Sequence, residues 1–201
     1  MIIHQLPVGS MQNFTYLLYD DTKQSIVIDP SWDLDKIHIL LKEHDLSLRY
    51  IVNTHHHHDH TVGNGSLAQS TGAQIIQHSA SEMKNDIVVS DSDMIEFGNS
   101  ALKVLHTPGH SKDSMCLVDK TSIFSGDTLF VGSCGRVDLS GGDATELYHS
   151  LFDVLYNLDD NLMMYPGHDY GTKKQSTLLE QKKLNPVFQK QSLEDFLMLF
   201  A

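Results

Sequence analysis

The segment at residues 53–63, NTHHHHDHTVG, supplies imidazole and carboxylate donors more densely than any other stretch of the chain. In an extended strand, side chains at i, i+2 and i+4 project to one side. His55, His57 and Asp59 can therefore face a common point, with a turn bringing His60 round to join them. Imidazole and carboxylate are the donors expected for zinc, iron or manganese, and a catalytic centre needs at least one position left open for water or substrate. A solvated histidine run that takes up metal adventitiously has the same local sequence, so the other donors decide. Three later segments each end in one: His110 in HTPGHSKDS, Asp127 in FSGDTLF and His168 in YPGHDYG, with glycine immediately before the donor every time. Glycine permits a tight backbone path that brings such a side chain close to a shared centre. Any one of these three alone reads as a turn residue; with the His-rich loop they make a set of seven donors.

The elements that must position these donors are short. Strands are predicted at residues 1–6, 14–19 (FTYLLY), 25–28 (SIVI), 50–52 (YIV), 73–77 (AQIIQ), 101–105 (ALKVL), 115–118, 122–124 and 162–165, and the donor segments follow strands. Helices are predicted at residues 33–44, where Ile37, Leu40 and Leu41 recur at helical spacing, and at 65–70. Further helices are expected at 145–158, carrying Leu147, Leu151, Leu155 and Leu158, at 177–184 before Asn185-Pro186, and at 192–200. Strands and helices alternate without a strict βαβ rhythm, which suits two packed sheets with helices outside. The length of 201 residues fits one domain over residues 1–201.

Composition narrows the class of function. Apolar residues at 40% and charged residues at 20% describe an ordinary globular chain. A formal net charge of −12, with only 14 Lys and Arg, argues against a nucleic-acid partner, because neutralising phosphates takes clustered cations. Two cysteines are too few for a disulfide framework, and the opening MIIHQLPVG has neither the basic region nor the apolar run of a secretory signal, so the expected location is cytoplasmic. No apolar stretch approaches the roughly 20 residues that span a bilayer, so no membrane association is expected. A small-molecule substrate is the partner this leaves, and a homodimer is compatible with the sequence.

Taken in order, HxHxDH (His55, His57, Asp59, His60), His110 in TPGHS, Asp127 in SGDTLF and His168 in YPGHDY resemble the metallo-β-lactamase superfamily over almost the whole chain. The resemblance implies an α/β fold, an αββα sandwich of two mixed β-sheets flanked by helices, with metals at one edge. It implies that His55, His57 and His110 hold one metal, that Asp59, His60 and His168 hold a second, and that Asp127 bridges them. Residue 57 is His where the diiron flavoproteins carry Glu, and residue 127 is Asp where the best-known zinc β-lactamases carry Cys or no equivalent; both activities are disfavoured. The nucleases of the superfamily need RNA-handling regions that are not visible here. The stretch GDTLFVGSCGRVDLSGGD looks like the glyoxalase II branch and the related persulfide dioxygenases.

That branch implies two reactions. The first is a metallo-hydrolase with two divalent ions, zinc or else iron or manganese, in which a metal-bound hydroxide attacks a thioester such as a hydroxyacylglutathione, Asp59 orients the water and a thiolate leaves. The alternative is a persulfide dioxygenase that oxidises glutathione persulfide to sulfite at one Fe(II) held by a two-His, one-carboxylate face, here His57, His110 and Asp127. A third reading, a non-catalytic metal-binding protein, needs a closed ligand shell, which seven donors with a bridging carboxylate do not suggest. Tyr170, two residues after His168, is placed in the pocket as a hydrogen-bond donor and catalytic candidate, with simple packing as its other reading. His56 and His58 are read as supporting or exposed, Arg136 and Asp138 as a buried pair, Cys134 as a packed thiol, and Lys173 and Lys174 as solubilising residues.

Overall fold

In the computed structural model, which describes residues 1–190 and 192–201, strand alternation sorts side chains into separate apolar layers. Strands β1 (Ile2–Val8), β2 (Asn13–Tyr19) and β3 (Gln24–Ile28) form an antiparallel meander. Phe14, Tyr16, Leu18, Ile26 and Ile28 enter a central core, while Leu17 and Val27 between them point the other way. Helix α1 (Leu34–Glu43) covers that outer face with Ile37 and Leu41, and leads into β4 (Ser47–Val52), parallel to β3. After the short α2 (His58–Thr61) and α3 (Asn64–Thr71), β5 (Gln74–His78) and β6 (Ile87–Val89) complete a six-stranded mixed sheet in the order β1-β2-β3-β4-β5-β6.

The second sheet begins with β7 (Met94–Phe97), β8 (Ser100–His106), β9 (Met115–Val118) and β10 (Ser122–Gly126). A small hairpin, β11 (Leu129–Phe130) and β12 (Ser133–Cys134), precedes α4 (Ala144–His149). Strand β13 (Met163–Pro166) pairs parallel to β10, and β14 (Ser176–Thr177) closes the order β14-β13-β10-β9-β8-β7. Val104, Met115, Leu117 and Phe124 face the first sheet, whereas Leu105, Cys116 and Ile123 face outward under α4, α5 (Leu178–Leu184) and α6 (Leu193–Leu197). The molecule is thus the expected αββα sandwich of two mixed sheets flanked by helices. None of its described helices is long and apolar enough to cross a membrane.

Three features depart from the sequence expectation. Strands β6, β7 and β14, the β11–β12 hairpin and the one-turn α2 are additional; runs of two to four residues carry too little periodicity to announce themselves. The final helix, expected over residues 192–200, is confined to Leu193–Leu197. The single helix expected over residues 145–158 is α4 followed by a π turn at Ser150–Val154 and a 3₁₀ turn at Leu155–Asn157. Leu147, Leu151 and Leu155 recur every four residues, a longer repeat than the 3.6-residue turn, so an ideal helix would rotate the third off the shared face. The wider π turn absorbs that drift, and all three leucines are fully buried.

Candidate metal centre

All seven donors lie at one edge of the sandwich, on loops that leave the ends of β4, β8, β10 and β13. Hydrogen bonds between the sheets fix this edge, Met115 N donating to Thr54 O at 2.8 Å and Phe14 N to Gly167 O at 2.8 Å, and within the second sheet Gly167 N donates to Gly126 O at 2.8 Å. The His-rich loop is extended only as far as His57; α2 then winds His60 inward and leaves His58 on the surface. Glycine before the donor is a steric requirement at all three places: Gly109 has φ +133° and a Cβ there would lie 2.3 Å from the Leu147 backbone. Gly126 has φ +49° and a Cβ there would lie 2.5 Å from Thr54 Oγ1, while a Cβ at Gly167 would lie 2.2 Å from Asp127 Oδ1.

The donor atoms fall into overlapping groups, His55/His57/His110, His55/His60/Asp127 and Asp59/His60/His168, each with its atoms within 4.8 Å of one another. His57 Nδ1 lies 2.9 Å from His110 Nε2, and His60 Nε2 lies 3.1 Å from His168 Nε2. Asp127 stands between, with Oδ1 3.4 Å from His60 Nε2 and Oδ2 3.3 Å from His168 Nε2 and 3.6 Å from His110 Nε2. Asp59 Oδ2 is 3.4 Å from both His60 and His168. Two buried atoms in this cluster, His55 Nε2 and Asp127 Oδ1, have no hydrogen-bond partner. Buried polar atoms without partners are costly, and an imidazole nitrogen beside a carboxylate oxygen is a donor pair that a divalent cation satisfies. The residues present fit such an ion.

The opposite edge of most rings is anchored. His110 Nδ1 donates to Arg136 O at 2.7 Å, His168 Nδ1 to Met11 O at 2.9 Å, and His60 Nδ1 to Asp29 Oδ2 at 3.0 Å. Thr54 Oγ1 donates to Asp29 Oδ2 at 2.6 Å, so it accepts from His55 Nδ1 at 3.1 Å. His55 and His110 thereby hold their protons on Nδ1 and turn the Nε2 lone pairs inward, and His60 and His168 present Nε2 inward in the same orientation, the arrangement in which outer partners orient metal-binding histidines. Asn13 Nδ2 steadies Asp59 by donating to its Oδ2 at 2.9 Å.

Electrostatics divide the cluster. Burial, aided by the neighbouring His60, holds His55 well below the usual histidine range, and burial with His110 lowers His57 to about 4. Burial pulls His168 down too, but its hydrogen bonds with Asp127 and Asp59 prevail and lift it to about 9. Burial resists ionisation of Asp59 and Asp127, yet the histidine partners hold both carboxyls well below the carboxylate range. One half of the site therefore offers neutral imidazoles, and the other balances its carboxylates with protonated histidines.

A cavity of about 300 Å³ over the cluster is bordered by Met11, Phe130, Cys134, Arg136, Leu139 and Tyr170. Tyr170 is 52% exposed and stacks on His168 at 4.5 Å between ring centroids. Arg136 and Asp138 do pair, at 2.6 Å, but their side chains are 61% and 65% exposed, which corrects the buried placement: residues two apart in an open loop close on each other in solvent. Burial pushes the Cys134 thiol up to about 12, so it stays protonated. Lys173 pairs with Glu180 at 2.6 Å, and Lys174 is exposed. His56, left over by the donor pattern, bonds through Nδ1 to Asp113 at 2.7 Å. Sequence reasoning missed Asp29, Thr54 and Asn13. Asp29-Pro30 read only as a turn, although Asp29 follows β3 where β3 runs parallel to β4, the signal that it ends at the same edge as the His-rich loop.

Comparison with known proteins gives three concordant findings. The family model described as Metallo-beta-lactamase superfamily matches residues 8–85 and 77–168. The chain is 38% identical over 193 residues to persulfide dioxygenase ETHE1, mitochondrial, of Mus musculus, covering 92% of this chain and 75% of that one, and 36% identical over 179 residues to a hydroxyacylglutathione hydrolase of Polaromonas sp., covering 85% and 67%. Among solved structures, ETHE1 from Myxococcus xanthus superposes with a TM-score of 0.95 at 34% identity, covering 100% of this chain and 90% of that one.

Proposed function

The chain belongs to the metallo-beta-lactamase superfamily, in the branch of the persulfide dioxygenases and hydroxyacylglutathione hydrolases, and is a metal-dependent enzyme; from that premise we propose that it oxidises the terminal sulfur of glutathione persulfide to sulfite at a single iron. The observation that carries this reading is the division of the donor cluster. His55 Nε2 and Asp127 Oδ1 are buried without a hydrogen-bond partner, and His110 Nε2 lies 3.6 Å from Asp127 Oδ2, so these three offer a cation a two-His, one-carboxylate face. Here His55 takes the place that the sequence reading assigned to His57. Asp127 and Asp59 favour protonated His60 and His168, and those protons leave before a metal binds there. The superposition on ETHE1 over the whole chain supports the same reading.

Iron, when bound, supplies the redox chemistry and the open positions for sulfur and dioxygen. The chain supplies the rest. Thr54 and Arg136 O hold the His55 and His110 rings with Nε2 inward. Phe130, Leu139 and Tyr170 wall the cavity. The Tyr170 hydroxyl serves as a hydrogen-bond donor to the substrate, and Tyr170→Phe is expected to lower kcat/KM by up to about tenfold, the worth of one hydrogen bond.

A second reading, hydrolysis of a glutathione thioester with two metals, is favoured by the Asp59/His60/His168 group, which completes a second set of three donors with Asp127 between the two. Metal content after anaerobic purification, measured with oxygen uptake on glutathione persulfide and cleavage of a hydroxyacylglutathione, separates the two. One iron per chain with oxygen consumption is the expected result. Two metals per chain, thioester cleavage and no oxygen uptake would replace it with the hydrolase.

A further inference from the structure

Exposed apolar side chains on a soluble protein ordinarily stand singly. Here three of them, from segments far apart in the chain, meet at the mouth of the metal cavity: Met11 in the turn between β1 and β2, Leu139 in the loop between β12 and α4, and Tyr170 in the loop between β13 and β14. They are 49%, 40% and 52% exposed. Tyr170 is a fixed wall, because its ring is stacked on His168 and met edge-on by Phe130 at 5.3 Å between centroids. Met11 is anchored through its backbone carbonyl, which accepts from His168, and its unbranched thioether is left to adapt to what enters. Arg136 is the one Lys or Arg among the described residues bordering this cavity, and its guanidinium is already closed on Asp138 by two hydrogen bonds of 2.6 Å.

The geometry points to Met11, Leu139 and Tyr170 as an apolar collar that determines specificity: the site favours persulfides whose substituent is apolar over those whose substituent carries a carboxylate. The inference rests on the reading of the site as a persulfide dioxygenase and narrows it, since glutathione persulfide, with its carboxylates, becomes the slower substrate. The reaction leaves this choice to the collar. A persulfide anion, dioxygen and water give a thiol, sulfite and a proton: the sulfur–sulfur bond breaks, the terminal sulfur gains both atoms of dioxygen and one oxygen from water, and four electrons pass to dioxygen. The substituent takes no part in any bond made or broken. An apolar group covering the collar removes apolar surface from water on both partners. A carboxylate at the same place has to displace Asp138 from Arg136, and it enters the field of a chain whose formal net charge is −12.

Anaerobic calorimetric titration of the iron-loaded protein with benzyl thiol and with para-carboxybenzyl thiol, product analogues that differ in one carboxylate, tests the collar apart from turnover. Wild type is expected to bind benzyl thiol about tenfold more tightly. Met11→Gln and Leu139→Asn, which exchange apolar atoms for an amide of similar size, are each expected to cut that preference about fivefold. Both side chains lie at the rim and the Met11 carbonyl is retained, so the fold is kept, which a thermal melt verifies. Equal affinity of wild type for the two thiols, no binding of either, or an undiminished preference in both variants would overturn the inference. Oxygen uptake is read separately on benzyl, para-carboxybenzyl and glutathione persulfides, with kcat/KM expected to be highest for the first. The binding preference without uptake on any persulfide sinks the proposed reaction and leaves the collar. Uptake with equal kcat/KM for the two benzyl persulfides sinks the collar and leaves the reaction.

Discussion

Asp29 accepts hydrogen bonds from Thr54 N at 2.7 Å, Thr54 Oγ1 at 2.6 Å and His60 Nδ1 at 3.0 Å, so one carboxylate behind the site sets the orientation of His60 directly and of His55 through Thr54. An amide cannot accept all three. Asp29→Asn is therefore expected to lower metal affinity by roughly 10- to 100-fold, measured by competition with a chromophoric chelator; unchanged affinity would mean the rings are held by packing alone. His168 contributes to the pH response of the metal-free protein. Its folded pKa, about 9, lies above its ordinary value of 6.5, so its stabilising contribution is fully present below pH 6.5 and is lost as pH rises through about 9. Thermal melts of chelator-treated protein should fall across that window, and bound metal, which replaces the proton, should flatten the fall. The donors themselves were legible in sequence because type and spacing carry them. Their outer partners were not, because Asp29 to His60 and Met11 to His168 are contacts between residues far apart in the chain, with no local pattern to reveal them.

At the scale of elements, the glycines that precede donors are exacting positions. Gly167→Ala would press a methyl group against Asp127 and the His60 ring, and is expected to reduce bound metal to less than half while secondary structure measured by circular dichroism is retained. The hairpin that carries Cys134 is pinned from elsewhere: Asn185 Nδ2 donates to Phe130 O at 3.2 Å and Ser133 O at 3.1 Å, and the residue is fully buried. Asn185→Ala strands both carbonyls and should cost about 1–3 kcal/mol by denaturant unfolding. In the sequence, Asn185-Pro186 announced only the end of a helix; its role as a tether needs the hairpin, whose strands of two residues are too short to predict. The longer apolar strands were legible for the opposite reason, as FTYLLY shows, since a strand packed between two layers is buried on both faces and reads as a continuous apolar run.

For the whole molecule, the αββα arrangement was legible through the order of its motifs more than through its secondary structure, whose alternation fits several layered folds. The central layer couples the halves: Phe124 from the second sheet meets Tyr16 from the first at 5.1 Å between ring centroids, edge to face. Phe124→Ala should destabilise by about 3–5 kcal/mol in chemical unfolding, with both sheets lost in one transition. The spread of the donors from residue 55 to residue 168, across both sheets, also bears on how the protein is made. During synthesis the four consecutive histidines leave the ribosome long before Asp127 and His168 exist to complete the cluster. For that interval the nascent chain exposes imidazoles with no carboxylate bridge, a site that favours whichever cation binds nitrogen most tightly. The order of translation therefore makes delivery of the correct metal a matter of timing as well as of affinity.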